Sequence, residues 1–523
     1  MMMRRSLLVP TAVACALAGA WPLAAQRGNW RPEDRVLISD FSQMSALATD
    51  QRRLFAGTSA GIAVFDVSQE RWLDPITAED GFPVAADPTA LAYDPLADEL
   101  WMATVNGGLF SYSSFFGRWE DEGSALAPPV FEIAFSRDAT GSVFVRDSRG
   151  WSLLERGSFQ PRPLPRGVSP PSRGSVDPLD DPLLRSRGRT LTVDETGRSW
   201  PVTDALTLIG SPDVWIASYG GYVFRYSDFA ADTRHYVYGI PGRGVASVLV
   251  TPDAIWFGGD ARTRRQGVAR SDHSLDRWLQ WEGRLHGAPA GRIRDMVESG
   301  GRLWAAAADG LYFLDPGSGR WSRLGVEDGL PDAAALSLAP TAGGVWAGTR
   351  RGAVSVDAGG VAGRVVAPGL RVAGLTVAGG DLWLATDAGV LRAVGAAAGE
   401  AATDLARLAD GDPRLGARSL SIATLDGAVY AAFDDAVRRV DRPGSPTPPL
   451  SGGGSQARLR AAGGRLWLAG AEGLRGWDPR SGDLVRYDVG NDIPVGPVSD
   501  VGVGAGGVWA ATPVGALLIR AER

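Results

Sequence analysis

An aromatic residue set between small or branched neighbours and followed by a polar-glycine turn recurs along almost the whole chain. It stands as LFAGTSAG around Phe55, LWMATVNGG around Trp101, VFVRDSRG around Phe144 and VWIASYGG around Trp215. It returns as IWFGGD around Trp256, LWAAAADG around Trp304, VWAGTRRG around Trp346 and LWLATDAG around Trp383. VYAAFDD around Tyr430, LWLAGAEG around Trp467 and VWAATPVG around Trp509 bring the copies to eleven, mostly 37 to 48 residues apart. A repeat of this period with several short strands is the pattern of a β-propeller, whose units are small sheets, or blades, packed face to face. In Gly108-Leu109-Phe110-Ser111-Tyr112 successive side chains go to opposite faces, as a strand requires. A helical reading fails, because no apolar period of 3.6 is sustained.

The expected fold is all-β, with about eleven four-stranded β-propeller blades. One ring usually holds four to eight blades, so two propellers are expected. The landmark aromatics read as packing: a ring such as Trp304 fills the gap between two blades while Ala305 and Ala306 allow close approach. Burying one such ring stabilises the fold by about 3 kcal/mol. The last unit supplies VSDVGV, GVWAAT and ALLIR without an outer strand. Arg35 to Asp40, an unpaired strand sequence near the start, is expected to close that last blade, which inserts one propeller within the other.

Two segments break the rhythm. The 71 residues from Phe144 to Trp215 must hold an insertion or a decayed unit. Residues 161–189 carry seven prolines and read as an extended surface insertion. Residues 442–455, RPGSPTPPLSGGGS, read as a flexible loop, and Ala396 to Leu408 as a short helix.

Residues 1–25 read as a signal peptide. Arg4 and Arg5 precede an apolar run from Leu7 to Leu17, and Ala24-Ala25 precede Gln26. No later stretch reaches 18 apolar residues, so residues 26–523 are expected to carry blades and no membrane span. The expected location is exported: periplasmic, outer-membrane-associated or extracellular. Cys15, the only cysteine, lies inside the leader, which leaves the processed chain no thiolate and no disulfide. All 53 basic residues are Arg, so lysine Schiff-base chemistry and a P-loop Lys are excluded. A net charge of −6 implies no broad basic field for nucleic acid.

Four turns share a Gly-x-Pro form: Gly81-Phe82-Pro83, Gly239-Ile240-Pro241, Gly329-Leu330-Pro331 and, loosely, Asp492-Ile493-Pro494. With the strand motifs Leu54 to Gly61 and Val345 to Gly352, they resemble the two-component regulator propeller repeats. These are ligand-binding sensor modules of bacterial extracytoplasmic proteins. The resemblance spans about residues 36 to 520 and implies a propeller that recognises a ligand. In hybrid sensors such repeats precede a membrane span and a histidine kinase, and in secretion-associated surface proteins a sorting domain follows. This sequence carries none of these, so a separate signalling or secretion component is the implied partner.

Little in the chain points to catalysis. His235, His273 and His286 lack metal-ligand spacing, and no G-x-S-x-G or H-E-x-x-H occurs. Asp309, Asp328 and Asp387 sit where turn capping explains them. Asp315-Pro316 and Asp478-Pro479 lack the longer docking pattern of quinoprotein repeats, so neither a cofactor nor a metal is expected. The candidate ligand residues lie in turns after the landmark strand: Tyr219, then Arg262, Arg264 and Arg265, then Arg350 and Arg351. Guanidinium groups there suit a carboxylate, an acidic or sulfated sugar, or an acidic partner loop. Solvated surface arginine is the competing reading. The expected function is therefore a non-enzymatic binding or sensor propeller for a carbohydrate, small ligand or envelope protein. A propeller enzyme, such as a polysaccharide lyase or lactonase, is one alternative, and it needs a Tyr/His or carboxylate cluster at one channel mouth. A scaffold in secretion or envelope assembly is the other.

Overall fold

Among the described residues the strands form eleven antiparallel sheets, each holding one copy of the landmark. The computed structural model describes residues 34–520 apart from 84–86, 124–125, 137–141, 156–159, 172–174, 177–180, 195, 228, 231, 262–264, 397–404 and 409–411. Residues 1–25, read above as a signal peptide, lie outside the described residues. Numbered in chain order, the blades begin with inner strands Ala46–Thr49, Pro88–Asp94, Glu132–Phe135 and Val202–Thr207 in blades 1 to 4. Ile293–Ser299 in blade 6 follows Val245–Val250 in blade 5, and Ala335–Thr341 and Val372–Ala378 begin blades 7 and 8. Ser419–Leu425, Arg458–Ala462 and Asp500–Gly504 begin blades 9 to 11.

The landmark aromatic sits on the second strand of every blade, and all eleven are buried. Trp304 shows why. It lies opposite Val297 and Phe313 within blade 6 and packs with Ala335, Leu338 and Ala347 of blade 7. A large ring on one sheet meets small residues on the next, so two twisted sheets approach without a void.

Adjacent inner strands are locked by a repeated hydrogen bond. In several blades the register shifts near the start of the inner strand, as at Val202/Asp204, Ile293/Asp295 and Ser419/Ser421. Asp295 Oδ2 accepts from Leu338 N of the next blade at 2.7 Å, and Ser421 Oγ accepts from Leu459 N at 3.1 Å. The same bond joins blades distant in sequence. Asp204 of blade 4 accepts from Leu47 N of blade 1 at 2.7 Å, and Asp500 of blade 11 accepts from Val248 N of blade 5 at 3.2 Å. The inner strands of blades 5 to 11 form an unbroken cycle of neighbours, while those of blades 1, 2 and 3 adjoin in order and blade 4 returns to blade 1.

The N-terminal strand Arg35–Ile38 closes the last blade. It pairs with Gly515–Arg520, with Val36 opposite Leu518 and Ile38 opposite Ala516, and gives blade 11 its fourth strand. The two groups of blades share a core in which Phe41, Trp72, Trp215 and Tyr238 meet Phe257, Trp278 and Trp509. The Trp72 and Tyr238 rings lie 4.6 Å apart, and Tyr238 and Trp278 5.5 Å apart.

Two local expectations give way to other structure. The Pro-rich insertion contains an α-helix, Pro182–Leu191, where an extended segment was expected; Asp181 caps it by accepting from Leu184 N at 2.9 Å. Pro182 starts that helix because a first-turn residue has no hydrogen bond for its N–H to lose. The long gap adds no sheet among the described residues. It supplies Ser175–Val176, a fifth strand on the inner edge of blade 4. Leu405–Arg407 is the outer strand of blade 8, where a short helix was expected; part of that helix falls on residues 397–404, outside the described residues.

Candidate functional site

The inner strands of blades 5 to 11 build the candidate site, and the landmark aromatic sets its register. Ten residues before each landmark stand Ala246, Arg294, Leu336, Ala373, Leu420, Ala457 and Ser499, one per blade. All seven line a single cavity of about 510 Å³. With a wall residue from every strand of the cycle, the cavity lies on the cycle's axis, at the end where the inner strands begin.

Its charged lining is arginine. Twelve residues before the landmark, blades 6, 8 and 9 carry Arg292, Arg371 and Arg418, and all three line the cavity. Arg292 Nε is 3.1 Å from Asp260 Oδ1. Arg294 lies among them, and its Nε is buried with no hydrogen-bond partner. Burial first, and then the charges of Arg292, Arg371, Arg350 and Arg458, push the Arg294 guanidinium below its usual range. Burial and Arg418 lower Arg371 likewise, with Arg350 adding to the effect and Asp387 opposing it. Arginine keeps its proton at neutral pH, so the lowering reflects burial first and crowding of like charge second, and a bound anion offsets both.

A turn brings Arg350 to the same charges. Thr349 Oγ1 donates to Gly352 O at 2.8 Å and accepts from Arg351 N at 3.1 Å. Thr58, Thr386 and Thr512 close the corresponding turns of blades 1, 8 and 11 on Gly61, Gly389 and Gly515. Gly352 has φ 132°, and a Cβ there would meet Val366 O at 3.0 Å. The frame of the turn is thus fixed, and its two central residues vary: Ser59-Ala60, Arg350-Arg351, Asp387-Ala388 and Pro513-Val514. Chemistry at the mouth changes through those positions without disturbing the blade.

At the floor of the cavity, where Arg458 joins the lining, an ion network crosses the axis. Arg458 and Arg460 on blade 10 reach Asp295 on blade 6, with Nη2 to Oδ1 distances of 2.6 and 2.8 Å. Arg460 also holds Asp500 on blade 11, through Nε to Oδ1 and Nη2 to Oδ2, both at 2.9 Å. Ser247 of blade 5 donates to Asp500 Oδ2 at 2.7 Å. Burial alone would lift the Asp500 carboxyl, but the Arg460 charge and hydrogen bond, helped by Arg458, hold it below its ordinary value. Burial alone would lower Arg460, and Asp295 and Asp500 outweigh that and raise it.

Of the residues singled out in the sequence, Arg350 does not line the cavity, but its charge acts on Arg294 and Arg371, which do. Arg351 is next to it in the turn, exposed, with its carbonyl accepting from Gly369 N. Tyr219 and Arg265 lie elsewhere, where the two blade groups meet. Tyr219 pairs with Gln43 through the backbone. Arg265 binds Glu282, donates to Gly220 O at 3.3 Å and lies over the Trp200 ring. Arg262 and Arg264 fall outside the described residues. Sequence reasoning missed Arg292, Arg294, Arg371 and Arg418. Their shared offsets from the landmark aromatic were the available signal.

Blades 1 to 4 enclose a smaller cavity of about 250 Å³, lined by Ala48, Ala92, Ala134 and Leu206, with Leu96 and Ile209 exposed at its rim. Its lining is mainly apolar, in contrast to the arginine mouth. Among the described residues no three His, Cys, Asp or Glu side chains gather as a metal site. His273 Nε2 lies 2.9 Å from Thr251 O, and His286 Nδ1 accepts from Glu282 N at 2.8 Å.

No family model matches the chain, and no curated protein matches it in sequence. Solved structures match it in fold. PorZ, an essential bacterial surface component of the type-IX secretion system of Porphyromonas gingivalis, aligns over 93% of this chain and 87% of its own, with 10% identity and a TM-score of 0.51. The extracellular domain assigned to a one-component system of B. thetaiotaomicron aligns over 92% of this chain and 76% of its own, with 14% identity and a TM-score of 0.43. At such identities the likeness is one of fold. The repeated four-stranded antiparallel sheets are those of propeller blades.

Proposed function

We propose that this chain is an exported, non-catalytic recognition protein made of two propellers, a four-bladed one inserted into a seven-bladed one. The split falls between Asp40 and Ala46 and again between Val237 and Val245. Two equivalent inner-strand bonds support it, Asp204 to Leu47 and Asp500 to Val248, one at each closure. The ligand is acidic and seats in the mouth of the seven-bladed ring.

One observation carries this reading: seven strands converge on one cavity whose charged lining is arginine, with the Arg294 Nε buried and unsatisfied. A buried donor without a partner costs about 1–3 kcal/mol, and an oxyanion that accepts from it removes that cost. Aliphatic walls at Leu336, Ala373 and Leu420 offer the ligand a carbon surface beside the charges.

The test is calorimetric titration of the purified chain with a sulfated oligosaccharide, alongside the Arg294→Ala/Arg371→Ala double variant. Binding that the double variant loses, with its melting temperature unchanged or raised, is the expected result. Equal binding by both proteins would remove the mouth from consideration.

A further inference from the structure

We infer that the anion taken by the arginine mouth is compact, carries about three negative charges and enters end-on from one side. It is either a free polyvalent oxyanion or the terminal unit of an acidic chain. This rests on the mouth being the ligand site and goes further by fixing the charge and the direction of approach.

The charge follows from which guanidinium groups are already matched. Arg458 and Arg460 are balanced by Asp295 and Asp500 in the network below. Around the mouth itself stand Arg292, Arg294, Arg350, Arg371 and Arg418, against Asp260 on Arg292 and Asp387 beside Arg371. Among the charges that act on Arg294 and Arg371, the three positive ones of Arg294, Arg350 and Arg418 remain. A single negative charge leaves two of them repelling across the cavity, whereas three charges on one small framework neutralise the set. Arg294 and Arg418 line the cavity from blades 6 and 9, with the Arg350 charge of blade 7 acting on Arg294, so the ligand needs acceptors pointing several ways, which one planar carboxylate does not offer.

The direction follows from the floor. Asp295, Arg458, Arg460, Asp500 and Ser247 tie blades 5, 6, 10 and 11 together across the axis, and Asp295 also holds Leu338 N of blade 7. A chain cannot thread past a network that spans the channel, so a polymer presents its end. The cavity of about 510 Å³ suits one or two sugar-sized units.

Titration of the full chain with sulfate, citrate and inositol hexakisphosphate tests the charge. Citrate and the hexakisphosphate are expected to bind at least about tenfold more tightly than sulfate, since each added charge-assisted bond is worth roughly a factor of ten or more. Arg350→Ala and Arg418→Ala, both at exposed positions, are expected to narrow that gap while the fold is kept. Equal affinity for all three anions would overturn the polyvalent assignment and leave the acidic-ligand reading standing; no binding of any anion would overturn both. Sulfated oligosaccharides of increasing length test the approach and separate the two sources. Affinity per chain that stays constant with length supports recognition of a terminal unit, and binding of the free anions alone supports the free ligand. Affinity that rises in proportion to length would overturn end-on binding.

Discussion

Arg460 on blade 10 places Nη2 2.8 Å from Asp295 Oδ1 on blade 6, three steps around the cycle of inner strands. Neighbouring blades touch through side-chain packing and the inner-strand hydrogen bonds. This pair bridges the channel that packing leaves open, and with Asp500 it joins strands far apart in sequence. It both braces the cycle and sets the depth of the mouth above it.

Removing one partner of such a network leaves charge stranded in a buried place. Arg460→Ala leaves Asp295 and Asp500 with Arg458 as their one remaining shared cation, and is expected to lower stability by about 3–5 kcal/mol. Urea unfolding of the variant beside the parent chain measures it. A loss below about 1 kcal/mol would mean that water and Arg458 already carry those carboxylates. The pH dependence follows from Asp500, whose carboxyl lies below its ordinary value in the folded chain. Its contribution is present at neutral pH and above the unfolded value near 4, and fades as pH falls through the lower folded value.

Asp80 has the opposite sign. It closes a capping box with Thr77, accepting from Thr77 N at 2.8 Å, and burial lifts its carboxyl to about 6. Between about 4 and 6 the folded chain therefore holds more protons than the unfolded one, and stability falls as pH rises through that window. Asp80→Asn keeps an acceptor for Thr77 N and removes the charge. Thermal melts are expected to show the variant more stable by roughly 1–2 kcal/mol at pH 7, after allowance for partial solvent screening. The difference should vanish near pH 4; a variant less stable at pH 7 would show that the ionised cap is worth more than its burial costs.

Ile38 reports on closure. It is fully buried on the N-terminal strand, opposite Ala516, and belongs to the core shared by both blade groups. Ile38→Ala is expected to cost about 2–5 kcal/mol. Because the two groups share that core, calorimetry is expected to show one cooperative transition shifted downward. Two resolved transitions, with one unmoved, would show that the groups unfold independently.

Much of the fold was legible in the sequence because blade packing repeats. A ring that must fill the same gap eleven times leaves the same mark eleven times, and Phe55 through Trp509 are all buried as that mark implies. The unpaired strand at Arg35 was legible for a related reason: the last blade visibly lacked a fourth strand. The mouth was harder to see. Arg292, Arg371 and Arg418 precede their strands, where the Pro and Gly content blurs alternation, and they occur in only three of seven blades. Arg294 and Asp295 look like ordinary strand residues, since nothing local tells a side chain on the axis from one in solvent. Conversely, Arg265 resembled Arg350 in its turn, yet Glu282 and Gly220 already engage it. The helix at Pro182 was hidden by proline count, which signals extended chain except when a proline begins a helix after a capping Asp.

Where an oxyanion binds decides whether the arginine mouth is a ligand site. Crystals of the chain soaked in selenate would report it through the anomalous signal of selenium. The account predicts a site in the mouth of the seven-strand cycle, within hydrogen-bonding distance of Arg294 and of Arg371 or Arg418. Selenate found only at surface arginines outside this cavity, with the mouth empty at saturating concentration, would contradict it.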